Sequence, residues 1–264
     1  MGAGGSVLSE AGEVDYGELA SLCVTDAAFR AMSAELDTYC PFEALMVARQ
    51  EIRHSNFLSD ILTPGLPHAF GDSVLRAFLD LILSACGDER RRLEVHLCEL
   101  GRVEILREWK HLDLVCRLPD AKPPLCVCVE IKVEAVEHGE QLATYEKAVA
   151  AEWPGDDVKF VFLTPTAEEP SRDAWTPLSF ADLLQAIGTV LNGRAGAEVA
   201  RTMLRTYIEM MRRRYVPNEN LDELARLIWS QHGREPEYLI DQRPDILRDA
   251  GIDIRERVFS ATRD

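Results

Sequence analysis

Lysine is scarce in this chain of 264 residues: there are five, at 110, 122, 132, 147 and 159. Lysine and arginine together number 29 against 45 acids, a formal net charge of −16. Phosphate contacts supply most of the sequence-independent affinity of nucleic-acid binders. Any such chemistry here therefore needs basic residues gathered locally, or a partner. Also missing is an apolar run of the ~18 residues that a membrane-spanning helix requires, so no membrane partner is expected. The cysteines, at 23, 40, 86, 98, 116, 126 and 128, include no C-x-x-C pair and are odd in number. That usage suits a reducing compartment, and a cytoplasmic location is expected. Cys126-Val127-Cys128 invites a metal reading, but small residues alternating in an apolar strand are read as core packing.

Apolar residues make up 47% of the chain and are spread through it, enough to bury one substantial core. No internal repeat is visible. Residues 1–13 read as a flexible terminus; their glycine-rich start, Met1 to Ser6, also fits the loose N-myristoylation pattern. Short helices are expected in 14–38. Residues 41–62 read as helix with a break at Ser55, a good N-cap, and end at Pro64-Gly65. Val74, Leu75, Phe78, Leu79 and Ile82 mark an amphipathic helix. From Leu93 to Val133 the period changes to two, predicting strands at roughly 93–99, 102–107, 110–117 and 125–133. Helix returns over 139–151, followed by a buried strand at 158–164, a short one at 176–178, and a helix opened by Ser179 with Asp182. In 197–215 the spacing puts Val199, Met203, Tyr207 and Met211 on one stripe and leaves Arg201, Arg205 and Arg212 as a basic face. The expected organisation is a mixed α/β domain over 14–215, a central mixed sheet flanked by helices, with a helical extension over 216–264.

Four of the five lysines have a carboxylate two residues earlier, so D/E-x-K alone selects nothing. Asp120-Ala121-Lys122 lies in a proline-bounded turn and Asp157-Val158-Lys159 at a strand entrance, both readable as surface. Glu108-Trp109-Lys110 is a stronger rival, but its neighbours are too charged for a buried strand end. Glu130-Ile131-Lys132 ends the apolar run 125–129, where a carboxylate needs a partner, a proton or a metal to offset desolvation. Alternation puts Glu130 and Lys132 on one face. If Arg117 faces Leu125 or its neighbour, Asp113 lands opposite 129 or 130, and only the second register brings the two acids together. Facing Cβ atoms ~4.5–5.5 Å apart would let both carboxylates hold one hard cation, with Lys132 orienting a water or stabilising developing charge. A salt-bridged hairpin of Asp113, Glu130 and Lys132 is the alternative.

The motifs, taken together, resemble the PD-(D/E)XK nuclease superfamily, in a branch associated with bacteria and phages. They run over roughly 48–185: Glu51-x-x-His54-Ser55-x-Phe57-Leu58 with Leu62-x-Pro64 and His68, then Arg107-Glu108-Trp109-x-x-Leu112-Asp113, Val129-Glu130-Ile131-Lys132, Gln141-Leu142-x-x-Tyr145, Phe160 to Pro165, and Trp175-x-x-Leu178-Ser179-Phe180. The resemblance implies a restriction-endonuclease-like fold and a magnesium site, with manganese able to substitute, held by Asp113, Glu130, the backbone carbonyl of Ile131 and Glu51. It adds Gln141 and Tyr145, similar to the Q-x-x-x-Y signature of RecB-like members, to the catalytic set. By residue type alone these two read as surface.

The expected function is hydrolysis of phosphodiester bonds, of DNA, in defence against foreign DNA or in repair. The alternatives are an RNase and a non-cutting binding or regulatory protein that keeps the fold. Arg53, His54, Lys110, His111 and Lys147, with Arg49 and the arginine face of 197–215, are the expected nucleic-acid contacts. A protein partner or a homo-oligomer is also expected, and a partner could supply the basic surface that an acidic chain lacks.

Overall fold

A computed structural model of the protein describes residues 15–45, 50–133, 140–232 and 235–236. The expected flexible start at 1–13, Arg49 and the chain from 237 onward lie outside these residues. In chain order the elements are α1 (Tyr16–Ala20), a π-helical turn (Ser21–Thr25), α2 (Ala27–Leu36), α3 (Pro41–Ala44), α4 (Glu51–Leu62), α5 (Ser73–Ala85), α6 (Glu89–Leu97), β1 (Glu104–Trp109), β2 (Leu112–Leu118), β3 (Leu125–Ile131), α7 (Gln141–Glu152), β4 (Asp157–Thr164), β5 (Trp175–Ser179), α8 (Phe180–Gly188), a 3₁₀ turn (Thr189–Asn192), α9 (Glu198–Tyr215) and α10 (Glu219–Gln231). They divide into two compact units, residues 39–217 and the described parts of 1–38 and 218–264. The terminal unit is helical: Leu22, Ala28 and Met32 bury themselves against Leu221, Ala225 and Ile228 of α10, and His232 closes on Asp26 at 3.2 Å. The domain expected to begin at residue 14 thus shares its first helices with the C-terminal helix.

In the larger unit the strands form one sheet in the order β1-β2-β3-β4-β5. The first three are antiparallel and the last two run parallel to β3, so the sheet is mixed. All seven residues of β3 are buried, as expected of a central strand covered on both faces. Leu125, Val127, Val129 and Ile131 face the main core, with Leu58, Ile61 and Leu62 of α4, Leu79 and Ile82 of α5, and α8 and α9. Cys126 and Cys128 face the other side, where Leu142, Tyr145 and Val149 of α7 close a second core with Phe162 and Trp175. Their thiols are free and lie 3.6 Å apart in this packing.

Residues 93–99 are not a strand. Asp88 accepts from the Arg91 amide and caps α6, and of the alternating Leu93, Val95 and Leu97 only Val95 is buried. Leu93 and Leu97 are exposed apolar residues that imitate a period of two. This gives a measurable contrast: Leu79→Ala should cost ~2–5 kcal/mol in urea unfolding, whereas Leu93→Ala should stay within ~0.5 kcal/mol. The turn between β1 and β2 lies two residues further along than expected, at 110–111 where the expected strands left 108–109. Trp109 pairs with Leu112, leaving a two-residue turn of Lys110 and His111, both at positive φ (51° and 72°). Such turns ordinarily announce themselves with Asn or Gly, and neither is present.

Two helical expectations are corrected. Ser55 does not break or cap a helix; it is buried in the middle of α4, its hydroxyl 3.1 Å from the Ile52 carbonyl. On α9 the buried stripe is Leu204, Tyr207, Ile208, Met210, Met211 and Tyr215, while Val199 is exposed. Arg201 is tied to the carbonyls of Ala195 and Leu191, and Arg213 and Arg214 grip Glu43 of α3 at 2.6 and 2.9 Å. Only Arg205 and Arg212 of the expected basic face are exposed.

Candidate active site

The register of β2 on β3 decides which acids meet. Arg117 faces Cys126 and Leu114 faces Val129, so one step further Asp113 stands opposite Glu130. Both are buried, at 8% and 1% exposure, on the face that α7 covers. Asp113 Oδ2 accepts the Ile131 amide at 2.7 Å, which fixes its carboxylate against the end of β3. Lys132 Nζ lies 2.8 Å from Glu130 Oε1 and 3.8 Å from Glu51 Oε2. Glu51, the first residue of α4, reaches the same point through its other oxygen, 3.2 Å from the Val133 amide. Residues far apart in sequence thus meet because an antiparallel hairpin aligns two strand ends and a helix starts beside them.

The second sphere comes from α7, where i,i+4 spacing places Gln141 and Tyr145 on one face. Gln141 Nε2 donates to Glu130 Oε1 at 2.9 Å and to the Tyr145 hydroxyl at 2.7 Å. That hydroxyl donates to the His111 carbonyl at 2.7 Å, tying the hairpin tip to the site. Tyr145→Phe should therefore lower stability by about 1 kcal/mol in urea unfolding and free the Gln141 amide.

Electrostatics follow from burial. Glu130 is pushed up to about 8, by desolvation first and then by Asp113, with the Lys132 ion pair only partly opposing this. Desolvation likewise raises Asp113 to about 6 against the pull of the Ile131 amide. Burial works against the charge of Lys132, but Glu130 outweighs it and holds the ammonium above its ordinary value. Among the described residues, Glu130 Oε2 is buried without a hydrogen-bond partner, as is Gln141 Oε1. A buried carboxylate oxygen lacking a donor is costly unless a proton or cation meets it.

That orphaned oxygen and the all-oxygen donor set fit a hard cation. Among the described residues no three His, Cys, Asp or Glu side chains gather closely enough to hold an ion. The donors that could meet one ion among the described residues are the Asp113 and Glu130 carboxylates with backbone oxygen, such as the Ile131 carbonyl. This suits magnesium, which takes one or two carboxylates and keeps its waters. Glu51, expected as a further ligand, lies 3.8 Å from the Lys132 ammonium in the metal-free chain.

The expected nucleic-acid contacts fare unevenly. His54 is 1% exposed, with Nδ1 3.2 Å from the Tyr207 hydroxyl, so it is a core residue and cannot touch a phosphate. His68 braces a turn through the Thr63 carbonyl and the Phe70 amide. Lys110 lies 3.2 Å from Glu152 and over the Trp109 ring. Arg53 is exposed and bonds Gln50. His111 is at the hairpin tip, while exposed Lys147 lines a separate surface cavity of about 260 Å³ with Glu146 and Arg172. Of the rival motifs, Asp120 pairs with Arg102 and Lys159 with Asp88 and Asp157. Glu108 has a different fate: Arg107 faces Leu114 and Trp109 faces Leu112, which sets it opposite Asp113. Spacing alone hides this position, because the E-x-K pattern pairs Glu108 with Lys110.

A mixed sheet flanked by helices, with an acid and an E-x-K segment meeting at the ends of adjacent strands, defines a restriction-endonuclease-like protein. A family model of the PD-(D/E)XK nuclease superfamily matches residues 41–231, and the chain belongs to that superfamily. No curated protein and no solved structure matches it.

Proposed function

We propose that the chain is a divalent-metal-dependent nuclease that hydrolyses phosphodiester bonds of DNA, in defence against foreign DNA or in repair. The observation that carries this reading is the buried Glu130 carboxylate, facing Asp113 and bonded to Lys132, with one oxygen left without a donor among the described residues. When bound, magnesium or manganese would supply a water made nucleophilic at neutral pH and offset charge building on the phosphate. Asp113, Glu130 and the Ile131 carbonyl would hold it. Lys132 would leave Glu130 far enough to orient the attacking water or stabilise the developing oxyanion. Gln141 and Tyr145 position Glu130, and Glu51 holds Lys132. Arg53 and His111, both exposed, are the basic groups we assign to the phosphate backbone, with DNA as the polymer; the same metal chemistry acts on an RNA backbone, which the cleavage assay below distinguishes.

A second reading, a non-cutting protein that keeps the fold, draws on the net charge of −16 and on Lys110 being committed to Glu152. Purified protein incubated with supercoiled, linear and single-stranded DNA and with RNA, each with magnesium, manganese or EDTA, separates the two. Cleavage of DNA that EDTA stops is the expected result. Cleavage of RNA alone would reassign the substrate, and none on any polymer would favour the binding protein.

A further inference from the structure

We infer that Glu108 is a further acid of this active site, set opposite Asp113 to hold waters of a hydrated divalent cation on the exposed side of the Asp113–Glu130 pair. The inference rests on the nuclease reading and extends it. Interpolating the β1–β2 register puts Glu108 beside Asp113, so three acids lie in a row across β1, β2 and β3. The row holds the orphaned, nine-tenths-buried Glu130 oxygen, which asks for a cation independently of Glu108. Unlike Glu130, Glu108 is exposed, where a carboxylate meets a cation's waters at little desolvation cost.

The backbone at Glu108 has φ of 51°, a left-handed conformation that costs a residue other than glycine or asparagine roughly 1–2 kcal/mol. The buried Ser55 hydroxyl lies 3.4 Å from Glu108 Oε1, steering the side chain toward α4. The lysine two residues on, which would pair with Glu108 in an ordinary E-x-K segment, turns instead to Glu152 and the Trp109 ring. Among the described residues Glu108 therefore has no cation of its own. Strained residues gather at functional sites when surrounding structure holds them there, and here that structure is the hairpin and Ser55.

Manganese binding by the full chain, measured by calorimetry alongside thermal melts, tests this. Glu108→Gln should bind roughly tenfold more weakly, as expected for a residue acting through metal-bound water. Glu108→Asn should bind as weakly while melting no lower than the wild type, because asparagine tolerates the left-handed backbone. Glu130→Gln should lose binding altogether. Wild-type affinity in both Glu108 variants, or lost stability with affinity intact, would assign Glu108 a structural role and overturn the inference. If the wild type itself takes up no manganese, or Glu130→Gln binds normally, the metal site fails first and the inference with it.

Discussion

Replacing Lys132 by alanine should lower the rate of DNA cleavage by about 10²–10³-fold, the usual loss when one preorganised charge is removed from a reacting centre. Manganese affinity should move the other way or not at all. The ammonium stands 2.8 Å from Glu130 and competes with any divalent cation for that carboxylate, so its removal leaves the acids needing a cation more. A calorimetric titration beside single-turnover cleavage of plasmid DNA would separate the two effects. A variant that bound manganese normally and still cut at the wild-type rate would show that the chemistry lies elsewhere. One that lost both cleavage and its thermal transition would mean that Lys132 is a folding residue. The ion pair with Glu51 makes the second outcome a real alternative to exclude, and Lys132→Gln, which keeps most of the stem, is the check.

Cation binding should also depend steeply on pH. Glu130 lies near 8 and Asp113 near 6 in the metal-free protein, whereas a cation needs both deprotonated. Binding must then expel a proton, and affinity should rise about tenfold per pH unit between 6 and 8 before levelling off. Titrations in buffers of different ionisation enthalpy would count the proton directly, and an affinity flat across that range would refute the assignment of Glu130. The stability of the metal-free chain follows the opposite sign. A carboxyl whose folded value is raised contributes stability that is full below its unfolded value, near 4.5, and is lost as pH rises through the folded one near 8. Metal-free protein should therefore melt lower at pH 8 than at pH 6, and Glu130→Gln should flatten that slope. Added manganese should restore the wild type, not the variant, at the higher pH.

These effects were partly legible before any coordinates. The apolar run 125–129 with acid and lysine just beyond it marked a costly buried charge, and period-two alternation put Glu130 and Lys132 together. Two registers remained open for Asp113, however, and the hairpin chose between them by pairing Arg117 with Cys126. The alternation of Leu93, Val95 and Leu97 suggested a strand, because a sequence does not say which apolar residues will be left in solvent. His54 shows the same limit in reverse: a histidine in a polar stretch of helix became a core residue only because α9 laid Tyr207 and Tyr215 against it.

What the sequence determined by itself was local and periodic: the amphipathic helices, the strand that must be buried, the scarcity of positive charge, and the presence of an acid and a lysine at that strand's end. Those follow from side-chain chemistry and spacing, which the chain carries wherever it goes. Tertiary structure alone decided the partners. The strand register, the tight turn at Lys110 and His111, and the packing of α4 and α7 set which carboxylates face one another, which lysine is spent on an outer glutamate, and why Glu130 is raised. Desolvation and Coulomb energy depend on distance and enclosure, and neither exists until the chain has folded.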